Sequence, residues 1–276
     1  MRKKAALPYV FLVAGAALMA VFVLFALFPS LFTPYSPTDM FEPWQECSAE
    51  HPLGTNDMGY DVFAEIVYAT DRTLLVGLAS ALAALCLGTV FGLLAGYCGG
   101  FAGALFDGIV DIFVMLPKLP VVIVLAAFSG GETLNVIIII ACLSWSGTAR
   151  AVRAKVKHLK NMPFVDTLRG LGFSQGRIVF GHIMRNVREV AAAKYVSGVV
   201  SCIMMESTLS FLGLGDATDV TWGGMINLAY KRGGFMMEAY NWLLAPGVCI
   251  MLCALSFVLI NIFIEKRAKI AGGFLS

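Results

Sequence analysis

TLLVGLASALAALCLGTVFGLLAGY, residues 73–97, decides what kind of fold this chain adopts. The run holds no Asp, Glu, Lys or Arg, and as a helix it is long enough to cross roughly 30 Å of hydrocarbon. Strands would leave backbone groups unpaired in lipid, so the run reads as a transmembrane helix. Within it Gly88, Gly92 and Gly96 stand four residues apart. That spacing gathers them on one helix face and lets another helix approach closely. A packing seam is expected there, within the bundle or against a partner subunit. The plainer reading is that glycine is common in membrane helices.

Comparable runs lie at approximately 7–28, 104–128, 133–149, 188–212 and 242–264, giving about six spans, of which 133–149 is the shortest. Composition agrees. The 276 residues are 59% hydrophobic and 14% charged, with mean hydropathy +0.81. Soluble domains are about 45–50% apolar and about 25% charged. A soluble fold of this size cannot bury so much apolar surface, so a bilayer must be the solvent for much of it. The seven cysteines form no Cys-x-x-Cys pair, and all but Cys47 lie in or beside apolar runs. They read as small packing residues rather than as a disulfide or metal framework. The run 7–28 follows Arg2, Lys3 and Lys4, as a secretory leader would. It is about twice the length of a leader's apolar core, and Pro29-Ser30-Leu31-Phe32 makes a poor cleavage site, so it is expected to remain as the first span.

Charge placement orients the spans. Residues 29–71 contain no Lys or Arg and carry Asp39, Glu42, Glu46, Glu50, Asp57, Asp61, Glu65 and Asp71. Residues 150–194 carry Arg150, Arg153, Lys155, Lys157, Lys160, Arg169, Arg177, Arg185, Arg188 and Lys194, and the C-terminal end adds Lys266, Arg267 and Lys269. Six spans put the N-terminus, the 150–187 loop and the C-terminus on one side, which the excess of Lys and Arg marks as cytoplasmic. The acidic 29–71 segment and the 213–241 loop then lie outside, with Lys231 and Arg232 as the outer exceptions. The chain divides into residues 1–72, a first span plus an acidic extracytoplasmic segment, and residues 73–276, a transmembrane core interrupted by the loop 150–187.

That loop has internal order. Asn161 can cap a helix, Pro163 suits its first turn, and Asp166 lies near the positive end of its dipole. Phe164, Leu168 and Leu171 recur at helical spacing as an apolar stripe, and Gly172 follows as a stop. Ser174 can cap a second helix over about 175–187. Such a short amphipathic helix at the membrane face either lies among headgroups or docks in a groove of a cytoplasmic partner.

Here the residues resemble a family. Phe164-Val165-Asp166-Thr167-Leu168-Arg169-Gly170-Leu171-Gly172 is similar to the "EAA" motif of binding-protein-dependent ABC importer permeases, in which an acidic residue and two small residues precede a glycine. Asp166 stands at the acidic position and Gly172 at the glycine, while Thr167 and Leu168 replace two alanines and Met184-Arg185 replaces Leu-Pro. The segment from His51 to Asp61, HPLGTNDMGYD, resembles the His-Pro-Leu-Gly-Thr-Asp-x-x-Gly-Arg-Asp stretch of the dipeptide, oligopeptide and nickel permeases, departing at Asn56 and Tyr60. Leu209-Ser210-Phe211-Leu212-Gly213-Leu214-Gly215 with Trp222-Gly223 is similar to another stretch of that group. The first span plus the His51–Asp61 segment resembles the C-type member of its permease pair.

The resemblance implies an all-α membrane bundle of the type I importer kind, with a cytoplasmic coupling helix. It implies that Phe164, Val165, Asp166, Leu168, Arg169, Leu171 and Gly172 engage an ATPase. It implies a B-type permease partner, two ATP-binding cassette subunits and an extracytoplasmic solute-binding protein in a bacterial or archaeal cytoplasmic membrane. The cargo would be a peptide, nickel, a metal complex or a related small solute, chosen mainly by the binding protein. No nucleic-acid partner is expected.

The chain itself lacks Gly-x-x-x-x-Gly-Lys-[Ser/Thr], and the dipeptide Gly-Lys never occurs. ATP and Mg therefore belong to partner subunits, and this chain is expected to be non-catalytic and free of cofactors. No metal-spaced cluster is present; His51, His158 and His182 are scattered, and His51 beside Pro52 reads as a structural loop residue. Ionisable side chains inside spans are costly and invite a functional reading. Lys118, between Pro117 and Pro120, Asp111 seven residues earlier on the same face, and Glu206 are candidates to line or gate the path; the competing reading for Lys118 is snorkelling or a structural pair. Trp222, Tyr230, Phe235 and Tyr240 in the outer loop suit interface anchoring or a scoop beneath a binding protein. Two other classes stand beside this reading. A secondary transporter or channel acting without ATP would need an inverted repeat with a midplane site, and none is visible. A membrane-embedded receptor or scaffold would have no ATPase partner.

Overall fold

A computed structural model describes residues 2–272, with side chains over residues 9–267. The charges read at Arg2, Lys3, Lys4 and Lys269 lie outside the described side chains. The described residues form α1 (Arg2–Leu27), α2 (Val62–Tyr97), α3 (Gly100–Met115), α4 (Lys118–Ser129), α5 (Thr133–Lys160), α6 (Pro163–Gly170), α7 (Gln175–Arg177), α8 (Met184–Phe211), α9 (Trp222–Lys231) and α10 (Tyr240–Gly272). Among them the only extended pairing is a single bridge between Thr55 and Asp61.

Four helices are long and apolar enough to span: α1, α2, α5 and α10. The pair α3–α4 counts as a fifth span, bent by 86°. The sixth expected span, 188–212, falls on α8, whose 28 residues reach about 42 Å. Arg185, Arg188, Glu189 and Lys194 in its opening turns keep it from being apolar enough on its own.

Helix limits depart from the sequence expectation in ways local chemistry explains. α2 starts at Val62 rather than at 73, because Asp61 caps it: its Oδ1 accepts from the Ala64 N–H at 2.6 Å. The division drawn between residues 72 and 73 therefore falls inside a helix. The 104–128 run is not one kinked span. Pro117 has no N–H to donate, so α3 ends at Met115 and α4 restarts at Lys118 at a steep angle. That break also removes the shared face inferred for Asp111 and Lys118. α5 runs past 149 to Lys160, carrying Arg150 through Lys160 as helix rather than loop.

The core is built on the pair α2–α5, which run parallel, with α8 against α2 and α10 against α1 and α8. Gly88, Gly92 and Gly96 face α5, opposite Trp145, Ala149, Val152 and Val156. Trp222 seals one end: fully buried, it stacks edge-on against Phe22, and its Nε1–H donates to the Ile66 carbonyl at 3.1 Å. A second apolar cluster at the other end joins Leu93, Val152, Val156, Leu159, Val165, Ile178, Ile183 and Val187.

Candidate functional site

The chain presents two differently built ends and a cavity between them. At one end, α6 hangs from the bundle. Pro163 opens it at the first helical position, Met162 stands before it in extended geometry, and Asp166 lies in the first turn, 3.1 Å from Arg169. The expected cap, Asn161, instead closes α5, because α5 continues to Lys160 and leaves only two residues between helices. The C-terminal end is a Schellman closure. Gly172 donates to the Arg169 carbonyl at 3.0 Å and Phe173 to the Leu168 carbonyl at 3.1 Å. Gly172 takes φ +79°, where a side chain would be strained.

The anchoring face differs from the expected stripe. Val165 is fully buried in the second apolar cluster, with Phe164 and Leu168 half-buried at its edge, while Leu171 projects at 69% exposure. Leu171 lies just past Gly170, the last helical residue, and stays outside the cluster that Val165 enters. Asp166, Thr167, Arg169 and Leu171 are exposed on the other side. Behind α6 the chain does not form an independent 175–187 helix. Ser174 caps α7, its Oγ accepting from Arg177 N–H at 3.4 Å, and a π-helical stretch, Ile178–Ile183, runs straight into α8. Lys160 Nζ donates to the Tyr97 carbonyl at 2.8 Å, and the Tyr97 hydroxyl donates to Gln175, so the ends of α2, α5 and α7 are tied beneath α6.

The three path candidates do not come together. Asp111 pairs with Arg153 at 2.9 Å, and Asp107 bridges Arg153 and Lys157 at 3.2 and 2.7 Å, fastening α3 to α5. Glu206 is buried and accepts from the Ser207 and Ser210 hydroxyls at 3.1 and 2.8 Å, a satisfied carboxyl rather than an open one. Lys118 alone faces open space: a cavity of about 410 Å³ between α2, α4, α5 and α8, where Lys194 joins it. In the sequence Lys194 figures only among the basic residues that orient the spans, although it falls inside the expected span 188–212. Its spacing to Ser197, Gly198 and Ser201, a face of small residues at helical period, was the available signal.

The opposite end is a polar lid. His51 Nδ1 lies 2.8 Å from Asp61 Oδ2, both buried, and Asn56 Nδ2 donates to Glu65 at 3.0 Å. Arg232 reaches Asp57 at 3.1 Å, and Arg72 reaches Asp219 at 3.4 Å. The residues 29–61 and the 213–239 region therefore share one end, away from the basic α6 end. Asp216 accepts from Thr133 N–H at 3.0 Å, supplying from another loop the cap that Glu132 does not give α5. Hydrogen bonds from Thr218, side chain and backbone, and from Thr133 hold the Asp216 carboxyl down to about 2.

A polytopic helical bundle with a short helix suspended at one end and a cavity between its helices is an architecture that suits a membrane permease. Residues 88–270 match the family described as binding-protein-dependent transport system inner membrane component. The chain is 34% identical over 252 residues to a dipeptide transport system permease protein of Alkalihalophilus pseudofirmus, covering 90% of this chain and 82% of the relative. It is 31% identical to an oligopeptide transport system permease protein of Haemophilus influenzae, over 89% and 80%. To a glutathione transport system permease protein of Pectobacterium atrosepticum it is 29% identical, over 90% and 83%. The chain belongs to the binding-protein-dependent transport system inner membrane component family, and it is a transmembrane permease subunit of an ABC importer.

Proposed function

We propose that this permease imports peptides, as the C-type member of a heterodimer with a B-type permease, driven by two ATP-binding cassette subunits and fed by an extracytoplasmic solute-binding protein. The peptide reading is supported by the dipeptide and oligopeptide permeases among its relatives; none of the relatives given above is named for nickel. The N- and C-terminal ends and α6 are cytoplasmic, and the acidic 29–61 region with its lid is extracytoplasmic. ATP and Mg reside in the partners. This chain is non-catalytic and couples their closure to its spans, switching access from one side to the other.

The observation that carries the reading is α6 itself: one face locked by Val165, the other left exposed with an unpartnered Leu171 at its tip. Motion imposed on that face passes through the Val165 cluster directly to the inner ends of α2, α5 and α8. Leu171→Asp tests it. The side chain is exposed, so the permease should still reach the membrane, while co-purification of the ATPase subunits and uptake should fall at least about tenfold, as expected when an interface anchor is replaced by a charge. Undiminished ATPase association would refute the docking role.

A further inference from the structure

Lys118 and Lys194 arrive from different helices at one cavity, and the lining of that cavity contains no Asp or Glu. Among the described residues neither lysine lies within ion-pairing distance of a carboxylate. The neighbouring cations are treated differently: Arg153 and Lys157 are matched by Asp107 and Asp111, and Lys160 by a backbone carbonyl. The acids closest in sequence to Lys118 are therefore already committed elsewhere. A half-buried, unmatched lysine at membrane depth is expensive unless something anionic visits it.

The rest of the wall suits a visitor. Ser144, Thr148, Ser197 and Ser201 line it, the last two with hydroxyls that donate to the Lys194 and Ser197 carbonyls of their own helix at 3.2 and 3.4 Å; Gly147 and Gly198 keep the wall low, and about 410 Å³ is room for a small polar solute. Lys118 sits at the break between α3 and α4, so its position moves with any change in that bend.

We propose that this cavity is an anion station on the translocation path, and that Lys118, with Lys194, holds the carboxylate of the cargo as it passes. For the identity of the cargo this rests on the peptide reading above, since every linear peptide with a free end carries such a carboxylate. The anion preference itself rests only on the two lysines.

The test uses the whole transporter in proteoliposomes, with Ser201→Cys placed on the cavity wall and the parent chain as background. Modification rates are measured for a sulfonate-bearing and a trimethylammonium-bearing methanethiosulfonate. Lys118→Met should lower the anionic-to-cationic rate ratio about tenfold, the scale on which a charged cleft concentrates counter-ions. Lys118→Arg should preserve it, and Lys194→Met, at an exposed position, should lower it in a chain whose packing is untouched. A ratio that none of these variants moves overturns the proposal, as it would if an acidic side chain of the partner permease neutralised Lys118. In a second arm, uptake of trialanine and of trialanine amide is compared with the binding protein unchanged. Lys118→Met should cut trialanine uptake about tenfold relative to the amide. If both peptides fall equally, the lysine does not hold cargo and the proposal is lost. If the rate ratio shifts yet the wild-type transporter takes up neither peptide, the peptide reading fails and the anion station stands.

Discussion

Gly92 of α2 and Val152 of α5 are in such close register that a Cβ at position 92 would lie 2.7 Å from the valine Cβ. The same holds one turn away on either side, where a Cβ would meet the Trp145 carbonyl at 2.6 Å from position 88 and the Val156 Cβ at 2.7 Å from position 96. In lipid there is little hydrophobic gain from bringing helices together, so van der Waals contact between close backbones is what holds α2 to α5.

Gly92→Ala should therefore lower the stability of the purified permease by about 1–3 kcal/mol, and Gly92→Val by more, since the neighbour on α5 must move as a unit. Thermal unfolding of the detergent-solubilised complex measures it. Gly108→Ala is the control, because a Cβ there meets nothing within 4 Å; its melting temperature should be unchanged or slightly raised.

Those glycines show what a sequence reveals well. Their period needs only one helix to be visible, and so does the run 73–97 that carries them. Pro163, Ser174 and Gly172 are legible for the same reason, since each acts on its own backbone. What could not be read depends on a second element. Asn161 has the chemistry of an N-cap, yet it closes α5 because α5 runs on to Lys160. Leu171 has the spacing of an anchor, yet the eight-residue helix docks through Val165, with Phe164 and Leu168 at its edge, and ends before Leu171. Asp111 and Lys118 share a face on an unbroken helix, but Pro117 turns them apart. Asp216 caps a helix that begins 83 residues earlier, and no local pattern announces that.

Cys47 should be modified by a membrane-impermeant thiol reagent added outside intact cells, and Cys47→Ser should abolish the signal. Its thiol is exposed, with Asn241 Nδ2 at 2.9 Å, whereas Cys86 and Cys142, though also exposed, lie within the spanning helices α2 and α5. An impermeant reagent needs water to reach and ionise a thiol. Labelling of Cys47 only after permeabilisation would invert the topology.

The Thr133–Asp216 clamp should resist acid to an unusual depth. The Asp216 carboxyl is held at about 2, below its ordinary 3.8, by hydrogen bonds from Thr218 and Thr133. A depressed carboxylate contributes stability that is fully present above the unfolded value and disappears as pH falls through the folded one. The melting temperature of the wild type should thus exceed that of Asp216→Asn by a constant margin at neutral pH, and the margin should shrink only between about pH 4 and pH 2. A margin that already shrinks between pH 7 and pH 5 would assign the effect to another group.

Gly172 separates the two ways in which α6 can fail. Its φ of +79° places it in the left-handed region, and a side chain there meets nothing within 4 Å, so substitution carries a backbone cost and no clash. For an L-residue that cost is about 1–2 kcal/mol, smaller for Asn, whose side chain can bond locally. Gly172→Val should loosen the Phe173–Leu168 closure and let the end of α6 fray, leaving the Val165 anchor and the amount of permease in the membrane intact. Uptake and transport-linked ATP hydrolysis should drop together, and Gly172→Asn should recover most of both. If Val and Asn at this position behave alike, the left-handed closure does not set the coupling. If the valine variant instead disappears from the membrane, the segment from α6 to the start of α8 supports folding more than force transmission.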